Sequence, residues 1–229
     1  MHTIAFVDLL WLLPPLGIVY VIYYRWCNDK VVIVYALSRM VLQLILIGYC
    51  LVFLFSSNHF ALIMLVLSIM LLSASFIALR PLAKKSSALY FKSFLSVSAG
   101  SFVALVFVIF GVLRLEVWYE PRFLIPIAGM IFSNSMNSVS VAAERFEMER
   151  ERSMEYVMAR NTAFKASLIP NINSLFAVGL VSIPGMMAGQ VLSGADPIEA
   201  VKYQIMVMAM IILSGGIATA VYLRLRIMD

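Results

Sequence analysis

Long apolar runs alternate with short charged breaks from one end of the chain to the other. Stretches near 4–24, 31–55, 60–79, 93–113, 123–143, 172–194 and 201–223 are each long enough to cross a bilayer as a helix, which takes roughly 20 residues. The pattern predicts an all-α, polytopic membrane protein of about seven transmembrane helices. The boundary Ser56-Ser57-Asn58-His59 is short and uncharged, as a tight polar turn between antiparallel helices can be. The first run is too long for a secretory signal, lacks a basic leader and ends in bulky aromatics, so it reads as a retained first helix.

The polar breaks set the orientation. Arg25, Lys30, Arg80, Lys84, Lys85, Lys92, Arg145, Arg150, Arg152, Arg160, Lys165, Arg224 and Arg226 fall on one side of a seven-span layout, and Arg114, Arg122 and Lys202 on the other. Cytoplasmic segments collect Lys and Arg, so the amino terminus is expected outside and the carboxyl terminus in the cytoplasm. Composition agrees: 63% of residues are hydrophobic and 13% charged, too few to clothe a soluble surface. The net charge of +5 follows from this sidedness and does not call for nucleic acid. Cys27 and Cys50 suggest neither a disulfide framework nor a thiolate metal site.

The longest polar interruption begins with Glu144-Arg145-Phe146-Glu147-Met148-Glu149-Arg150-Glu151-Arg152. Its charges suit a water-exposed helix continuing the fifth span, with Glu147 facing Arg150 and Glu149 facing Arg152. Met154, Val157 and Met158 form a narrow apolar stripe suited to a partner protein or the membrane surface.

Candidate chemistry lies inside the spans. Arg39 is a costly charge within the second span, with Gln43 one turn on, unless it snorkels to the boundary. In the fifth span Ser133, Asn137 and Ser140 form one row, expected to look inward, with Asn134 and Ser138 beside it. These residues suit interhelical glue or a substrate path. The sixth span is expected to start after Pro170-Asn171-Ile172-Asn173-Ser174 and to kink or break at Pro184-Gly185-Met186-Met187. The two Met thioethers are soft donors, but in a chain this rich in Met packing is the favoured reading, and the metal ligands, if any, stay open. His2 and His59 both fall at outward ends, where they assemble no buried cluster. No Walker-type phosphate loop occurs, so ATP would have to be handled by another subunit, and no Ser–His hydrolase arrangement is evident.

The stretch Val178-Gly179-Leu180-Val181-Ser182-Ile183-Pro184-Gly185-Met186-Met187-Ala188-Gly189, followed by Asp196-Pro197, Glu199-Ala200 and Lys202-Tyr203-Gln204-Ile205, resembles the FetB family of ABC permeases. Ile125-Pro126-Ile127-Ala128-Gly129-Met130-Ile131, Arg39 with Gln43-Leu44 and Gly48, and Leu168-Ile169-Pro170 before Asn173-Ser174 extend the likeness.

The resemblance implies a single transmembrane permease domain over 1–229, with a cytoplasmic coupling segment near 144–169. It implies a homodimer in the inner (plasma) membrane, served by a separate FetA-type ATPase that holds ATP and Mg. No cofactor is expected on this chain. Family members are linked to iron export and aluminium tolerance, so a transport subunit rather than an enzyme is expected, with iron the first cargo to test. Arg39, Gln43, Asn134, Asn137, Pro184, Gly185, Met186 and Met187 are candidates for the path, and Glu147, Glu151, Met154 and Met158 for ATPase coupling. An Ala/Ser-Leu-Gly-Ala-Thr-Pro-like turn expected between the fifth and sixth spans is absent, so either the coupling segment is shortened or the turn has been lost from it. A seven-helix receptor, or a channel or secondary transporter needing no ATPase, shares the topology.

Overall fold

A computed structural model describes residue 5, residues 7–56 and residues 59–228. His2 and the Ser57-Asn58 part of the expected second boundary lie outside the described residues. Among the described residues there are eight α-helices: α1 (Leu13–Cys27), α2 (Val32–Ser56), α3 (Phe60–Ala78), α4 (Ser87–Val106), α5 (Pro121–Glu151), α6 (Tyr156–Ala177), α7 (Gly185–Leu192) and α8 (Pro197–Leu225). A 3-10 turn, Asp8–Leu12, leads into α1, and a π-helical segment, Phe107–Leu113, prolongs α4. Among the described residues, six helices are long and apolar enough to cross a membrane: α1 with its leading turn, α2, α3, α4 with its π segment, α5 and α8. The chain is a polytopic, all-α membrane protein.

The sixth span, expected to kink or break at Pro184-Gly185, is interrupted just before them. Helix α6 begins at Tyr156, runs through Pro170 and stops at Ala177; α7 resumes at Gly185 for eight residues. The expected helix start after Pro170 does not occur. Proline removes one backbone donor, but α6 is held along its length against α5 and α8, and the helix carries on through it.

The chain divides into two compact units, Met1–Ser57 and Asn58–Asp229. In the first, Pro14 and Pro15 open α1, and Asn28 at φ 51° closes it. The Asp29 carboxylate then accepts from the amides of Val31 and Val32, which starts α2.

In the second unit α4, α5 and α8 pack together, with α3 against α4 and α5, α6 against α5 and α8, and α7 against α8. Small residues set the spacing. Ala104, Ala128, Ala142, Ala143, Ala159, Ala163 and Ala218 are all fully buried. Close approach is what substitutes for a hydrophobic drive between helices in lipid. At the α4–α8 crossing Gly100 lies so near α8 that a Cβ there would overlap the Ser214 carbonyl oxygen and sit 2.8 Å from Ala218.

The unit has two chemically distinct ends. At one, the Arg226 guanidinium donates to Glu147 at 2.7 Å and the Tyr156 hydroxyl to the Leu223 carbonyl at 2.6 Å, tying the ends of α5 and α8 to the start of α6. At the other, Phe60 meets Trp118 and Tyr119 edge-on, both at 5.6 Å between centroids. Amphipathic aromatics at one end and guanidinium pairs at the other suit two membrane–water boundaries.

Candidate functional site

Residues 178–184 form a break between α6 and α7. Gly179 takes φ 82°, a left-handed conformation that glycine adopts freely. Pro184 offers no N–H and pushes the residue before it toward extended backbone, so the helix cannot be re-entered before α7. The Ala177 carbonyl accepts from the amides of Leu180, Val181 and Ser182, and Gly179 donates to the Ser182 carbonyl at 3.0 Å. The carbonyls of residues 178–181 find no backbone donor among the described residues. At membrane depth such backbone is tolerated where other protein covers it or where it lines a wet cavity.

A cavity of about 630 Å³ lies between this break and α8, lined by Leu175, Val178, Gly179, Ser182, Ile183, Pro184 and Met187 on one side and by Val201, Gln204, Ile205, Met208 and Ala209 on the other. Gln204 is 6% exposed and its Oε1 has no hydrogen-bond partner. A buried amide without a partner costs roughly 1–3 kcal/mol, and Gln204 lines this cavity. By helix rise Gln204 sits roughly 10 Å along α8 from Pro197, within the apolar zone. The thioethers of Met187 and Met208 add soft donors to the same wall.

The path candidates are dispersed. Pro184 and Met187 line the cavity, Pro184 as the residue that precedes α7; Gly185 opens α7, and Met186 turns toward the core. Asn134 donates to the Ile211 carbonyl at 2.6 Å, one turn of α8 beyond the cavity wall, and lies 3.5 Å from the Ser214 hydroxyl. Asn171 of α6 donates to the Ser138 hydroxyl at 3.3 Å, so Asn134, Ser138 and Asn171 form a polar layer around Gly215. Within this unit Ser133 and Asn137 are exposed and Ser140 is half-buried, while of the neighbouring row Asn134 is half-buried and Ser138 buried. Arg39 and Gln43 lie one turn apart on α2, exposed within the first unit.

The coupling candidates sit at the charged end. Glu147 pairs with Arg226 rather than Arg150, and Glu149, fully buried, pairs with Arg145 rather than Arg152. The expected water-exposed helix is present as the end of α5, but one side of it, Phe146 and Glu149, is buried, because α6 folds back over it. Glu144, Glu147 and Glu151 line a groove of about 330 Å³ facing Pro81, Leu82 and Lys84 of the α3–α4 connection. Met158 is exposed, whereas Met154 packs on the core, which removes it from the expected surface stripe.

Gln204 was not singled out from sequence as a site residue. An amide inside the apolar run 201–223 was the available signal. Among the described residues no group of three or more His, Cys, Asp or Glu side chains is placed to hold a metal ion.

A bundle of apolar helices long enough to span, with a broken passage beside a cavity, defines a polytopic integral membrane protein. By its sequence, the chain belongs to the uncharacterised protein family UPF0014, whose pattern matches residues 16–228. It is 35% identical over 228 residues to a UPF0014 membrane protein of Synechocystis, covering 93% of this chain and 88% of that one. It is 32% identical over 204 residues to the probable iron export permease protein FetB of Escherichia coli, covering 82% and 77%. It is 30% identical over 208 residues to the protein ALUMINUM SENSITIVE 3 of Arabidopsis thaliana, covering 83% and 74%. No solved structure matches the chain.

Proposed function

We propose that this chain is the membrane-spanning permease subunit of an ABC transporter, working as a homodimer with a separate ATPase of the FetA type that binds ATP and Mg. The supporting observation is the broken passage: Val178 and Gly179, whose carbonyls have no backbone donor, line one cavity together with Gln204, whose Oε1 has no partner. Interrupted helices are how transporters offer backbone dipoles to a passing solute. The chain itself has no phosphate loop, so the energy would come from a partner.

The coupling route follows the contacts. A push on the exposed end of α5, at Glu147 and Glu151, passes through Arg226 to α8 and through the Tyr156–Leu223 bond to α6. Helix α6 leads directly into the break, so a shift of its first turn moves the Val178–Pro184 wall against Gln204. An element linked to both sites in this way is what energetic coupling requires. The amino terminus is placed outside, the carboxyl terminus in the cytoplasm, and the membrane is the inner (plasma) membrane; the charge asymmetry supports this. Export of a metal ion, with iron first, rests on the name of the Escherichia coli relative.

The test is ATPase activity of the purified chain with its neighbouring nucleotide-binding subunit in lipid, titrated with ferrous iron and other divalent ions. Stable assembly with metal-stimulated hydrolysis supports the reading. Assembly without stimulation removes metal as cargo, and failure to assemble points to a receptor or a stand-alone channel.

A further inference from the structure

At the charged end, α6 and α8 leave between them a groove of about 560 Å³ lined by Arg160, Asn161, Phe164, Ala220, Leu223, Arg224 and Ile227. Its chemistry is divided. Phe164, Ala220, Leu223 and Ile227 make an apolar floor, and two guanidinium groups stand at its rim. Arg145–Glu149, Lys202–Glu199 and Arg226–Glu147 are ion-paired, and among the described residues neither Arg160 nor Arg224 has an acidic partner. Arg160 donates only to the Asn161 amide oxygen, through Nε and one terminal nitrogen, at 3.2 and 3.0 Å.

Both arginines line this one groove, and both act on Tyr156. Burial raises the Tyr156 phenol above its ordinary pKa, while the charges of Arg160 and Arg224 both pull it back down. The Arg160 guanidinium also lies 5.9 Å from the centre of the Tyr156 ring. Two like charges held near one another without a counter-ion repel, an arrangement that an anion between them relieves.

We infer that this groove is a binding site for an anionic phospholipid, with its phosphate between Arg160 and Arg224 and an acyl chain along Phe164, Ala220, Leu223 and Ile227. A free phosphate would satisfy the guanidinium groups but leave the apolar floor uncovered; a phospholipid satisfies both. Arg224 lies in the last turn of α8, the final spanning helix, which is where a head group meets its chains. Basic pockets between helices near the membrane surface hold such head groups in this way. The site is separate from the broken passage and does not depend on the transport reading.

The experiment is native mass spectrometry of the full chain from vesicles of mixed phosphatidylglycerol and phosphatidylcholine, counting retained lipids. The wild type should retain phosphatidylglycerol in preference. Each guanidinium is worth roughly fivefold in affinity, so R160Q/R224Q should bind it about thirtyfold more weakly, while R160K/R224K keeps most of the preference. Should the Gln pair aggregate, R224Q alone, altering an exposed side chain, should still lose about fivefold. Unchanged retention in these variants overturns the inference. So does displacement of the lipid by inorganic phosphate alone, which would make this a soluble-anion site. Loss of assembly with the nucleotide-binding subunit at unchanged lipid retention would assign the groove to protein docking and equally overturn it.

Discussion

Replacing Gly100 by Ala perturbs a close α4–α8 crossing at a point where the obstacle is backbone. The added methyl would overlap the Ser214 carbonyl oxygen and lie 2.8 Å from both the Ala218 Cβ and its amide nitrogen, where ordinary contact begins near 3.4 Å. No rotamer change relieves this, since Ala has none to change and the atoms of α8 belong to a helix. Helices α4 and α8 must therefore move apart by roughly 1 Å, enough to forfeit a quarter to a half of each dispersion contact across the seam. Val97, Ala104, Ala218 and Tyr222, all fully buried, belong to the core that would loosen. The cost belongs at the upper end of overpacking, about 3 kcal/mol, or a fall of roughly 6–12 °C in midpoint for a chain of this size. Gly216 provides the control, because a Cβ there meets nothing within 4 Å. Its replacement by Ala should stabilise the helix by about 1 kcal/mol. The assay is the fraction surviving as a monodisperse peak after heating in detergent. A fall of less than about 2 °C for G100A, or equal falls for both variants, would refute the close α4–α8 crossing.

Gln204→Leu should leave the melting temperature unchanged or raise it by removing an unpartnered amide worth about 1 kcal/mol, yet abolish transport; active transport by this variant would remove Gln204 from the path. Gly179→Ala should cost roughly 1–2 kcal/mol, since φ 82° puts a Cβ in the left-handed region, and an unchanged midpoint would argue against the turn that ends α6. For the link between α5 and α8, a double-mutant cycle of Glu147→Gln and Arg226→Gln should give a coupling of about 1 kcal/mol, with zero coupling ruling out the pair. Asn134→Leu should cost about 0.6 and at most about 1.7 kcal/mol through the lost bond to the Ile211 carbonyl, read by the same thermal assay; a stabilised variant would contradict that bond.

Much of the architecture is local and was legible in the chain. Lipid demands internally hydrogen-bonded apolar helices of fixed length, so run length and charge punctuation located α1 to α5 and α8 with ends shifted by a few residues. Grouping the basic residues anticipated that Arg226 and the acidic stretch from Glu144 to Glu151 would share one end, and Pro184 with Gly185 marked the neighbourhood of the break. Faces and partners were decided only by tertiary packing. In water an apolar stripe shows which side of a helix is buried, but in lipid both sides are apolar and periodicity loses that meaning. That is why only packing showed Asn134 and Ser138 turned to the α8 side with Ser133 and Asn137 left exposed on this unit, why Glu147 found Arg226 79 residues away, and why Gln204 gained its importance only once the break lay opposite it. Pro170 makes the same point: its local rule stops a helix, and packing against α5 and α8 carried the helix through.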